Sequence, residues 1–200
     1  MHPAKSLPQN YQHQKTLDLS RGSVVLWLNL AAIPLLFLYG WFFNVVIFSL
    51  RPLSPVQIGI FQILTSFSGW GLIALVLSII LMLVFHELVH GLFFWLFTHE
   101  RPKFALRAGY AFAAAPDWFL PSSQYIIVGI SPFIVISILC IILGVWVPAS
   151  FVPYLLLIAT FNAAGALGDL IVVAWVLRQP KSIFVKDEGD KFSSFSPGSG

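Results

Sequence analysis

The sequence predicts an all-α membrane protein with four transmembrane helices and a long cytoplasmic loop between the second and third. Three observations carry that prediction. Of its 200 residues, 58% are hydrophobic and only 10% are charged, against about 25% charged in an ordinary soluble domain. Mean hydropathy is +0.87. Four apolar segments, 24–50, 70–97, 125–147 and 151–177, each reach the roughly 20 residues a helix needs to cross a bilayer.

The first 22 residues form a polar leader carrying Lys5, Lys15 and Arg21. The apolar run that follows is longer than a signal-peptide core, so an uncleaved anchor is expected. The membrane domain then spans residues 23–178. Residues 179–200, ending in KDEGDKFSSFSPGSG, are small, polar and charged, and are expected to form a disordered cytoplasmic tail.

Between the first two spans, Ser54, Pro55 and Gln57 have the pattern of a helix cap. Val56, Ile60, Ile63, Leu64 and Phe67 follow at helical spacing. The segment reads as a short helix lying in the interface plane or as a plain loop. In the central loop, Phe104, Leu106, Tyr110 and Phe112 alternate with smaller or charged residues. That period of two suits a hairpin turning near Ala108-Gly109, or else an amphipathic interfacial loop. The edge of a hairpin there is suited to pairing with an extended substrate segment.

Charge sets the orientation. Lys5, Lys15 and Arg21 precede the first span, Arg101, Lys103 and Arg107 lie between the second and third, and Arg178, Lys181, Lys186 and Lys191 follow the fourth. Only Arg51 falls on the other side. Cytoplasmic loops collect Lys and Arg, so both termini and the central loop are expected in the cytoplasm. The pI near 9.2 belongs to this juxtamembrane charge. No basic patch interleaved with aromatics suggests a nucleic-acid partner. The single cysteine, Cys140, excludes an intrachain disulfide and reads as a small buried hydrophobe.

Inside the spans the plainly ionisable side chains are His86, Glu87 and His90 on the second and Asp169 on the fourth. Each charged group at the centre of a membrane helix costs about 2.5 to 3.5 kcal/mol on insertion scales. A polar contact between membrane helices returns only about 0.6 kcal/mol. A bound divalent cation offsets the cost better. On a helix, His86 and His90 fall about 40° apart on one face and about 6 Å apart along the axis, the spacing of an HExxH metal site.

A catalytic zinc takes three protein ligands and keeps one position for water. Asp169 is the credible third ligand. His90 and His86 precede Phe97 by 7 and 11 residues, and Asp169 precedes Leu177 by 8, so all three lie about 10 to 16 Å below the cytoplasmic helix ends. Ala163, Ala164, Gly165, Ala166 and Gly168 let the fourth helix approach a neighbour closely. Asn162, seven residues before Asp169 on the same helical face, is assigned to a substrate backbone or an oxyanion, with a helix-packing role as the alternative.

HELVHG on a membrane helix, GYAFAAAP in the following loop, GISPF opening the next span, and Asn162 and Asp169 on a later helix resemble the zincin-type peptidases of bacterial membranes, a family similar to the site-2 proteases. The resemblance covers roughly residues 72–177. It implies that His86, His90 and Asp169 bind Zn²⁺, that Glu87 is the general base, and that Asn162 helps position substrate. It also implies a bacterial or archaeal plasma membrane and a membrane-embedded protein or peptide as substrate. Here Gly168 precedes Asp169 and Leu170 follows it, whereas site-2 proteases usually carry Asp-Gly preceded by prolines. No PDZ-type domain is recognisable.

The expected function is therefore intramembrane proteolysis by a metal-activated water. Two rivals stand beside it: a metal-handling membrane protein without hydrolytic activity, and an adaptor whose polar cluster packs helices. Histidine and carboxylate ligands also accept divalent ions other than zinc.

Overall fold

The computed structural model describes residues 1–51, 69–107 and 110–198, and the side chains of all of these but Arg107 and Tyr110. Among the described residues, three helices are long and apolar enough to cross a membrane: α1 (Gly22–Leu50), α2 (Gly69–Thr98) and α3 (Ser122–Trp146). Trp27, Phe37, Trp41, Leu81 and Leu83 stand exposed on them. So much outward apolar surface is stable in an apolar solvent and not in water, consistent with a membrane protein. The interfacial segment expected around Ser54–Phe67 lies outside the described residues.

The fourth span differs from the single helix expected over 151–177. A 3-10 turn (Ala149–Phe151) leads into α4 (Val152–Gly165), and α5 (Leu167–Leu177) follows after a bend of 42°. Only together is the pair long and apolar enough for a membrane, as a broken span or a re-entrant loop. The break falls in the small-residue run Ala163–Gly168. Its last intact bond there runs from the Ala166 N–H to the Asn162 carbonyl, 3.0 Å.

The expectation of an all-α chain is also corrected. The leader forms strand β1 (Tyr11–Asp18), the central loop forms β2 (Lys103–Arg107), β3 (Tyr110–Ala114) and β4 (Phe119–Pro121), and the tail forms β5 (Phe184–Asp187) and β6 (Lys191–Pro197). β2 and β3 pair antiparallel, Arg107 opposite Tyr110, which is the hairpin the alternation predicts. Its turn lies outside the described residues. The other four strands make an antiparallel sheet in the order β1-β6-β5-β4.

The tail expected to be disordered is ordered because its apolar residues are paired across the sheet. Phe184 faces Tyr11, and Phe195 faces Phe119, with ring centroids 5.4 and 5.1 Å apart. Such cross-strand aromatic contacts stabilise a sheet. The β5–β6 turn holds Gly189 at φ +95°, a conformation that glycine adopts without steric penalty.

The chain divides into two compact units, residues 1–28, 87–132 and 167–200 in one and 29–86 and 133–166 in the other. Three of the boundaries fall inside continuous helices. The first unit holds both sheets. Its core joins Phe94 of α2, Leu120 of β4, Tyr125 and Val128 of α3, Val172 and Val176 of α5, and Val185 and Phe192 of the tail. Burying an aliphatic side chain of this size contributes about 1.5–3 kcal/mol. β4 runs directly into α3, and β5 follows α5, so the sheet ties together the starts and ends of the helices that carry the site. The Ser122 N–H donates to the Ile183 carbonyl, 3.1 Å, and the Ser122 hydroxyl to that of Lys181, 2.9 Å.

In the second unit, Ile47 of α1 fills the space beside Gly144 of α3, where a Cβ would lie 2.9 Å from its Cδ1. Arg51 donates from Nη1 to the carbonyls of Gly144 (2.6 Å) and Val147 (3.1 Å). A cation there satisfies the last carbonyls of α3 and meets the negative end of its dipole.

Candidate metal centre

The HExxH residues lie on α2, whose uninterrupted ladder places His86 one turn before His90. Both imidazoles are buried. Asp169 sits in the first turn of α5, where the partial positive charge of a helix N-terminus favours an ionised carboxylate. The bend before α5 thus creates a helix start beside His90.

The His90 Nε2 and the Asp169 Oδ1 are 3.4 Å apart. That is long for a charge-assisted hydrogen bond. It matches the edge of about 3.4 Å between two ligands held about 2.0–2.1 Å from a tetrahedral metal ion. One ligand atom each from His86, His90 and Asp169 lies within 4.8 Å of the others.

The outward-facing ring nitrogens complete the fit. The His86 Nδ1 is 3.0 Å from the Asn162 Oδ1, and the His90 Nδ1 is 2.9 Å from the Val128 carbonyl. A carbonyl only accepts, so each Nδ1 carries a proton, and in the neutral ring that leaves Nε2 with the lone pair a metal ion needs. Metal-binding histidines almost always donate their other N–H in this way. The donor set, two neutral imidazoles and a carboxylate, is one that zinc binds with a fourth position open.

Glu87 follows His86 in the chain and is half-buried, with its Oε2 buried. Asn162 is fully buried. The helix is broken between Asn162 and Asp169, and the Asn162 amide contacts His86.

Two parts of the site were not read from the sequence. One is the Val128 carbonyl. The other is Asp187 of β5, buried and holding the Tyr125 hydroxyl at 2.7 Å on Oδ2 and the Gly189 N–H at 2.7 Å on Oδ1. Burial pushes its carboxyl up to about 6, against the lowering effect of both hydrogen bonds. The signal for the first was a proline four residues after Val128. For the second it was the apolar residues on either side of Glu188-Gly189-Asp190, Ile183 to Val185 and Phe192 and Phe195.

Residues 79–184 match the family described as "Putative zincin peptidase". Comparison with curated proteins and with solved structures returned no match. The family match covers more than half of the chain, and the chain belongs to that family. Membership implies a zinc-dependent peptidase, in keeping with the cluster that can hold the ion.

Proposed function

From that membership, we propose that the chain is an intramembrane zinc metalloprotease, similar in chemistry to the site-2 proteases, that hydrolyses peptide bonds of membrane-embedded substrates. The observation that carries the reading is the pair of Nδ1–H donations, which leaves two imidazole lone pairs beside Asp169 among apolar helices. A helical adaptor has no need of that tautomer.

His86, His90 and Asp169 would hold the ion. Zinc bound there supplies a Lewis acid and brings the pKa of its water to about 7. Glu87, next to His86 in the chain, takes the proton of the attacking water and passes it to the leaving amine. Asn162 holds the His86 ring so that the ligand needs no reorientation as the reaction proceeds.

A helical substrate hides its carbonyls in backbone bonds, so segments that unwind near Gly, Pro or polar residues are the favoured targets. The β2–β3 hairpin offers backbone edges on which such an unwound segment pairs. The Lys and Arg distribution supports cytoplasmic termini and a site reached from the cytoplasmic side.

The test is a cleavage assay in proteoliposomes with single-span substrates, comparing wild type, Glu87→Gln and chelator-treated protein. Glu87→Gln is expected to retain zinc and lose cleavage by about 10²–10⁴-fold. Full activity in Glu87→Gln, or in metal-stripped protein, rejects the reading. Cleavage sites spread evenly through stable Leu-rich helices reject the substrate preference.

A further inference from the structure

In an α-helix each carbonyl is met by the N–H four residues on. In α3 the residue four after Val128 is Pro132, which has no N–H. The Val128 carbonyl is therefore left over, in an apolar helix where an unsatisfied backbone group is costly. Two side chains take it. The Ser131 hydroxyl donates to it at 2.8 Å and the His90 Nδ1–H at 2.9 Å. Val128, Ser131 and His90 are all buried.

We propose that Pro132 is a positioning residue for the metal centre: by withholding its N–H it dedicates the Val128 carbonyl to His90, fixing that ring with Nε2 toward Asp169. Ser131 alone would satisfy the carbonyl if the proline served only to bend the helix. His90 occupies the second lone pair, reaching across 38 residues of sequence. The proline thus converts a backbone group of α3 into an outer partner of a ligand on α2, without placing a further ionisable side chain in the membrane. The inference rests on the metal-site reading above and not on hydrolysis.

Pro132→Ala and Pro132→Gly both restore an N–H that closes the helical bond to Val128 and competes with His90. They differ widely in helix propensity, so a shared effect belongs to the N–H. Purified protein in detergent is titrated with Zn²⁺ against a chromophoric chelator, and the His90 Nδ1–H resonance is followed by ¹⁵N-histidine NMR. Both variants are expected to keep helix content and thermal stability, to bind zinc about 10–100-fold more weakly, and to lose or shift the Nδ1–H signal. Pro34→Ala, at the proline inside α1, is expected to leave zinc affinity unchanged. Wild-type affinity in both Pro132 variants overturns this inference and leaves the protease reading standing. Failure of wild type itself to bind zinc overturns both.

Discussion

Replacing Asn162 by alanine separates the two roles open to that residue. The amide is fully buried and holds the His86 Nδ1–H at 3.0 Å. Deleting it removes a hydrogen bond with a net value of about 1 kcal/mol and leaves a buried N–H unsatisfied, at about 1–3 kcal/mol. That penalty of about 1–3 kcal/mol falls on the metal-bound state, where the ring must point one way. At 1.4 kcal/mol per tenfold, zinc affinity should weaken by about 10–100-fold, the range typical of lost outer partners of metal ligands. The assay pairs zinc competition titration with cleavage at saturating zinc. Asn162→Ala should bind weakly yet recover most of its cleavage when zinc is in excess. Asn162→Asp, which keeps an acceptor in place, should hold the ion near wild-type affinity. Wild-type zinc affinity with no cleavage at saturating zinc would refute the reasoning and place the amide on the substrate.

Three further outcomes are expected. A Cβ at Gly129 would meet the Val173 Cγ2 at 2.7 Å, so Gly129→Ala should press α3 from α5, lower stability by about 1–3 kcal/mol and weaken zinc binding; an unchanged thermal midpoint and zinc affinity would contradict this. Asp187 titrates at about 6 when folded, above its ordinary 3.8, so the folded state holds the proton more tightly and its contribution is complete below pH 3.8 and fades as pH rises through 6. The fall amounts to about 3 kcal/mol, and thermal midpoints between pH 4 and 7 should flatten in Asp187→Asn; an unaltered slope would show that another group titrates. Gly189→Ala forces a side chain into positive φ and into the Phe112 ring, and should lower stability by about 2 kcal/mol or more, read as increased proteolysis of the tail.

The sequence by itself determined what depends on local spacing. Apolar run length fixed α1, α2 and α3 to within a few residues. The i, i+4 repeat put His86 and His90 on one helical face, and alternation found the β2–β3 hairpin. Asp169 was legible as the remaining acid in an apolar run.

Tertiary structure decided what depends on partners distant in the chain. The tail reads as disordered because its few apolar residues are separated by polar ones. Only pairing with β1 and β4 buries them, and no local pattern reveals partners so distant in the chain. The bend before α5 falls in a run of small residues, whose composition sets no preferred angle. The hydrogen bonds that settle both imidazole tautomers span 76 and 38 residues, and one of their acceptors is a backbone carbonyl. Side-chain identity cannot announce a backbone group; the proline that frees it becomes readable only once α3 lies against α2.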